Sequence, residues 1–150
     1  MTAVTSYSGA ATRGDFAWLV NDFVQRVHGV SHALILSSDG LRLTASDTMA
    51  VDDADQLAAI ASGVLGLARS GGSLFGMGAC DQIIHRYQGG YFLFMHIGNG
   101  GGLVVLTAPK CDMQVVGYEM AQFVNTVGRR LTPQVRAGLR QVVTARKPHG

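Results

Sequence analysis

The stretch from Tyr91 to Ile97, YFLFMHI, is apolar on both faces that a strand would present. Tyr91, Leu93, Met95 and Ile97 fall on one side, and Phe92 and Phe94 on the other, because successive strand side chains point to opposite faces. Neither face can be left to water. Such a strand belongs to a sheet that is covered from both sides. The other elements of the chain must supply that cover.

Three segments have the spacing to do so. Phe16, Leu19, Val20, Phe23 and Val27 recur at intervals of three and four, a helical stripe. Thr12, with Asp15 three residues later, is its start signal, a variant of the capping box, and Gly29 ends it. A second helix is predicted in DDADQLAAIASGVLGLARSGG, with Asp53 as N-cap, Gln56 at the third helical position, Asp55 near the positive end of the dipole, and Gly71-Gly72 as the stop. The third starts at Asp112 and carries Val116, Met120, Phe123 and Val127, with Val124 and Leu131 beside them. Pro133 breaks it, and QVRAGLRQVV forms one short further helix.

The strands lie between. Ala33 to Leu36 and Leu41 to Thr44 flank the turn signal Asp39-Gly40. CDQIIHRY, YFLFMHI and LVVLTA follow, the first two joined at Gly89-Gly90 and the last stopped by Pro109. No pattern claims GGSLFGMGA. The expected fold class is α+β: one five-stranded antiparallel sheet with helices on both faces, in the order α-β-β-α-β-β-β-α. Residues 1–13 are read as a flexible tail, 14–132 as the domain, and 133–150 as a basic tail with a short helix.

Gly98-Asn99-Gly100-Gly101-Gly102 resembles a phosphate-cradling loop in composition only. Such a loop needs a helix N-terminus behind it, with a Lys and a Ser or Thr at fixed spacing. Here the strand LVVLTA follows, and Asn99-Gly100 is a hairpin signal. No cofactor is expected.

Charge and cysteines narrow the rest. The net charge is +2, too small to imply nucleic acid. Arg129, Arg130, Arg136, Arg140, Arg146 and Lys147 crowd the end, with no acid after Glu119 and no aromatic between them, so nucleic acid is not an expected partner. Cys80 and Cys111 form no C-x-x-C and read as reduced thiols. No apolar run reaches the ~20 residues that cross a bilayer, and the polar start has no signal-peptide core. The expected location is cytoplasmic, with recruitment to a membrane only through partners.

Catalytic patterns are absent. There is no G-x-S-x-G. Glu119 is the only glutamate, and Asp39, Asp52, Asp53, Asp55 and Asp112 are accounted for by a turn and helix starts. His85 and His96 flank the Gly89-Gly90 turn without a nearby carboxylate or thiolate, a poor metal site. The expectation is no enzyme, no catalytic residue and no metal. A small enzyme or ligand-binding domain using His85, His96 or Cys80 is the outlying alternative.

One segment needs more cover than the chain offers. From Gln56 to Ala68 the second helix has no charge, whereas a surface helix normally keeps a charged outer face. Leu57, Ile60, Ala61, Val64 and Leu67 are read as facing the sheet. Ala58, Ser62, Leu65 and Gly66 then face outward, most simply against a second copy of the chain, the alternative being cover by the third helix or the tail of the same chain.

WLVNDFVQRVHGVSHALILSSDGLRLTAS, DADQLAAIASGVLGLA, GYFLFMHIGNGGGLVVLTAPKCDMQVVGYEM and LTPQVRAGL together resemble the roadblock domains, relatives of the dynein light chain of that name. The likeness is greatest to actinobacterial members encoded in small operons beside a Ras-like GTPase. The resemblance implies a non-catalytic homodimer, formed by self-pairing of the middle strand and packing of the second helix on its mate. The implied interface includes Leu57, Ala58, Ala61, Ser62 and Leu65 of the helix and Gln82, Ile84 and Arg86 of the strand. The implied function is to bind a Ras-like small GTPase and regulate it, including by speeding GTP hydrolysis. The alternative is a scaffold that links a sensor kinase-like membrane protein to soluble partners and leaves hydrolysis unchanged.

Overall fold

The structure, a computed structural model, describes residues 13–98, 100–132, 134, 135 and 137–139. The elements run α1 (Arg13–Arg26), β1 (Val30–Leu36), β2 (Arg42–Ala45), α2 (Val51–Leu74), β3 (Gln82–Tyr87), β4 (Gly90–His96), β5 (Gly102–Thr107) and α3 (Met113–Arg130). One antiparallel five-stranded sheet has the order β2-β1-β5-β4-β3. The α+β fold expected from the strand and helix periods is the one observed.

Strand alternation divides the core in two. Leu34, Val104 and Phe94 stand side by side across β1, β5 and β4. With Leu36 and Phe92 they face α2. Ala33, Ile35, Leu103, Val105 and Leu93 face the other way, onto α1 and α3. There Phe16, Val20, Phe23 and Val27 of α1 meet Val116, Met120, Phe123 and Val127 of α3. The rings of Phe23 and Phe123 sit edge to face with centroids 5.2 Å apart. Tyr91 to Ile97 is therefore covered on both sides, as its composition demands.

Polar contacts fix the joints. Asp112 caps α3, accepting from the backbone N–H groups of Gln114 at 3.0 Å and Val115 at 3.3 Å. Arg26 of α1 bonds Glu119 of α3 at 2.7 Å and Asp22 at 3.2 Å. Glu119 first, then Asp22, holds the guanidinium above its ordinary value. The Arg26 side of this half-exposed clasp thus stays charged through neutral pH and is lost as pH rises into strong alkali, and salt screens it. On the other face Arg42 of β2 bonds Asp55 of α2 at 2.8 Å.

The glycine stretch is a bend between two strands. Gly100 donates to the Ile97 carbonyl at 3.0 Å, and Ile97 to that of Gly101 at 3.2 Å. Gly100 and Gly101 have φ of 96° and 83°, a region that L side chains rarely enter. Gly102 is needed for space. A Cβ there would meet the ring of Phe94 and the Met95 carbonyl.

Two helix limits differ from the sequence reading. Asp53 is not the N-cap of α2. The cap is Ala50, without a side-chain bond, and Asp53 lies in the first turn, where its charge still favours the helix dipole. Gly71-Gly72 does not close α2, which continues to Leu74. Gly72 instead lets the chain fold back tightly, since a Cβ there would strike the Gly78 carbonyl. Thr12, most of the 1–13 tail, Asn99, Pro133, Arg136 and the tail from Arg140 lie outside the described residues. Beyond α3, residues 134, 135 and 137–139 are helical, and Leu139 is buried with the α1–α3 core.

Gly102→Ala is expected to lower stability by about 1–3 kcal/mol, the cost of overpacking against a fixed ring. Urea unfolding followed by circular dichroism measures it.

Candidate protein-interaction surface

α2 is the only cover on its face of the sheet among the described residues. Ala54, Leu57, Ala58, Ala61 and Leu65 are buried, the last four against Leu34, Leu36, Phe92, Phe94 and Val104. The opposite side shows Ile60, Leu67 and Leu74, exposed by 57%, 78% and 77%. These three are seven residues apart, with exposed Gly63 and Ser70 between them. That is the heptad spacing of a helix seam, with small residues at the alternate positions that let a second helix approach.

The sequence reading had these faces reversed at several positions. It placed Ile60 and Leu67 inward, and both are outward; it placed Ala58 and Leu65 outward, and both are buried. The cause is the sheet. Phe92 and Phe94 fill the space under α2, so the helix must present small residues there, and Ala58 and Ala61 do so. Within the implied interface, Leu57, Ala58, Ala61 and Leu65 are consumed by the chain's own core, and Ser62 is half-buried. They cannot present a surface to another molecule without leaving that core. Gln82, Ile84 and Arg86 are exposed, as an interface strand requires.

These three lie on β3, at the edge of the sheet. β3 pairs with β4 along its whole length, from Gln82 opposite Met95 to Tyr87 opposite Gly90. Its other edge pairs with nothing among the described residues. A six-residue open edge with exposed Ile84 and Tyr87 is a template for another strand. The alternation places Gln82, Ile84 and Arg86 on the α1–α3 side, and Ile83 and His85 on the α2 side.

Three features were not legible in the sequence. Phe75 and Met77, in the unclaimed GGSLFGMGA stretch, are exposed at the end of α2, close to where the chain enters β3. Trp18 on α1 and Tyr118 on α3 are exposed aromatics on the opposite face. Between β3 and α3 a groove of about 430 Å³ is lined by residues including Gln82, Ile84, Met95, Met113, Gly117 and Tyr118, and no lining side chain is charged. Seven-residue spacing could have flagged Ile60, Leu67 and Leu74. No local signal marks the groove, which exists because α3 stops short of the edge strand.

The outlying catalytic candidates do not converge. His85 stands opposite Phe92 and stacks on its ring, centroids 5.3 Å apart. His96 lies at the other end of β4, its N–H bonded to the Asp81 carbonyl at 2.8 Å. Cys80 donates to the Gln82 carbonyl, and Cys111 to Thr107 Oγ1. Among the described residues no three metal-ligating side chains cluster. One sequence statement needs correcting: α2 has the length and apolar composition to cross a bilayer. Its inner stripe is seated on the sheet, and its Asp55 is tied to β2, as in a core helix.

The fold and its open surfaces define an interaction domain: an antiparallel sheet clad by two helices on one face and one on the other, with a free edge strand. The Roadblock/LC7 domain model matches residues 16–107. A Roadblock/LC7 domain from Streptomyces avermitilis is 38% identical, covering 74% of this chain and 92% of its own, with TM-score 0.70. Another from the same organism is 35% identical, covering 74% and 96%, with TM-score 0.63. The chain belongs to the Roadblock/LC7 family. Myxococcus xanthus MglB, 12% identical over 75% of this chain and 91% of its own, has the same fold at TM-score 0.68. No curated protein matches the chain.

Leu65→Arg is expected to unfold the domain, because it buries an unpaired charge against Phe92 and Phe94. Leu67→Arg, two residues on, is expected to stay within about 0.5 kcal/mol of wild type. Thermal melts of both variants at low protein concentration distinguish the two faces of α2.

Proposed function

We propose that this chain is a homodimeric interaction module that binds a Ras-like small GTPase and regulates it by speeding GTP hydrolysis. Membership of the Roadblock/LC7 family supports the regulatory half of the reading. The observation that carries the interaction half is the Ile60–Leu67–Leu74 stripe, apolar, regularly spaced and turned away from the chain's own core. Burying an apolar side chain of this size is worth about 1.5–3 kcal/mol, and in a symmetric dimer each is buried twice. Pairing of β3 with its copy would satisfy the open edge at the same time.

The two elements are compatible. If both copies keep α2 on the same face of a joined sheet, β3 must pair with odd-numbered residues opposite odd-numbered ones. Ile83 and His85 then meet on the α2 side, and Gln82, Ile84 and Arg86 on the other. The interface residues proposed are thus Ile60, Gly63, Leu67 and Leu74 of α2, with Gln82, Ile84 and Arg86 of β3. The module need not supply a reacting group. Ordering the GTPase's own switch loops and its water-positioning residue is enough to raise the rate of phosphoryl transfer.

A second reading has an observation on its side. The uncharged groove between β3 and α3 is a further apolar surface that the α2 seam does not use, which suits a scaffold joining a sensor kinase-like membrane protein to soluble partners.

Sedimentation equilibrium is expected to give twice the 15.8 kDa chain mass for wild type and the single mass for Leu67→Arg. Wild type is expected to raise single-turnover GTP hydrolysis by a Ras-like small GTPase that it binds, and Leu67→Arg to lose that effect. Equal rates with and without wild type would leave the scaffold.

A further inference from the structure

The geometry points to the second edge of the sheet, at β2, as a dock for the chain's own basic tail, residues 140–150. The inference stands apart from the dimer reading, which uses β3 at the far edge. β2 ends the sheet on its side. Ser46 donates to the Ala33 carbonyl of β1 at 2.8 Å. Ala45, one residue before it, therefore turns its own N–H and C=O away from β1. A pocket of about 220 Å³ lies along this edge, lined by residues including Ala17 of α1, Thr44, Ala45, Asp47, Met49 and Val51. Thr44 is 3% exposed, and its hydroxyl makes no hydrogen bond among the described residues. A buried polar group left in this way costs stability until a partner reaches it.

The rim of the pocket is acidic. Seven of the ten acids lie between Asp15 and Asp55, and nine of the twelve bases lie from Arg69 onward, so the two charges sit in different parts of the chain. Asp47 stands in the pocket wall, and its carboxylate accepts only from the neutral Asn21, at 3.2 Å. Asp52 and Asp53 are exposed in the first turn of α2, next to Val51, and enter no ion pair among the described residues. Arg42 does not offset these three, because Asp55 holds its guanidinium at 2.8 Å. An extended segment with positive charge at both ends fits such an edge.

The tail, RQVVTARKPHG, has that character. Val142, Val143 and Thr144 are β-branched residues in a row, which favour a strand. Arg140 precedes them, Arg146 and Lys147 follow, and no acid is present. The tail also starts within reach. A Cβ on Gly128 of α3 would lie 3.8 Å from Ile97, which places the end of α3 at the Ile97–Gly102 end of the sheet. Gly102 is opposite Leu36, and Leu36 is opposite Arg42, where β2 begins. Leu139 is buried in the core that α3 shares with α1, and α1 borders the pocket through Ala17. Three strand spacings of about 4.8 Å separate β5 from a strand added outside β2, and residues 140–144 extended span up to about 17 Å. Docked, the tail pairs its backbone with Ala45, sets its cations against Asp47, Asp52 and Asp53, and closes an edge that is otherwise a template for foreign strands. Salt screens this contact, and an acidic partner that takes the tail uncovers the edge.

The test is amide hydrogen exchange of the full chain followed by NMR and read at the Ala45 N–H. This amide is expected to be protected in wild type and to exchange at least about tenfold faster in Arg146→Glu/Lys147→Glu. Asp52→Lys/Asp53→Lys is expected to lose the protection as well, and the four changes together, which restore opposite charges, to regain most of it. Leu67→Arg is expected to keep it, which separates the tail from the α2 seam. Equal exchange in wild type and the tail variant overturns the inference. Protection that fades on dilution also overturns it, since the added strand then comes from another molecule, and so does protection lost in Leu67→Arg. If the variants in the first turn of α2 do not fold, the tail variant decides alone, because its two changes lie outside the described residues.

Discussion

The structure depends on a sheet whose central strands are apolar on both faces, with three long helices available to cover them. β5 and β4 bury Leu103, Val105 and Leu93 on one side and Val104, Phe92 and Phe94 on the other. Two helices share the first side and lock together through Phe23 and Phe123. The second side receives α2 alone. A single helix on such a face is in contact along one stripe, and its back is left over. The exposed seam of α2 is a direct result of that unequal division.

The same packing sets the chemistry of the leftover side. Phenylalanine rings on the sheet require alanines on the helix above them. Leu57 and Leu65 share the inner face with those alanines, while Ile60, Leu67 and Leu74 turn outward. Close packing decides the matter: a hydrophobic residue goes where the volume exists, and under α2 the volume is taken. The result is a helix with an inner face of alanines and two leucines toward its own sheet and an exposed apolar stripe on its back.

The interaction surfaces fall around β3. Its open edge, the α2 seam with Phe75 and Met77 at its end, and the uncharged groove beside α3 lie around it, and Gln82 and Ile84 belong to both the edge and the groove.

Periodicity in the sequence was enough for the element order, the antiparallel sheet, the two-sided cover, the Asp112 cap and the bend at Gly100-Gly101. Each rests on neighbours in the chain, where spacing fixes which face a residue takes. The charge-free run from Gln56 to Ala68 likewise announced a helix with more apolar surface than one sheet face needs. The sequence misjudged which stripe of α2 turns inward, the helix's true ends, and the existence of the groove. Those features depend on what stands opposite in space: the rings of Phe92 and Phe94, the Gly78 carbonyl against Gly72, and the gap between α3 and β3. Local pattern determined that this chain makes a two-faced sheet and an apolar helix. Only tertiary packing, by allotting volume among side chains distant in sequence, decided which residues are left to meet another molecule.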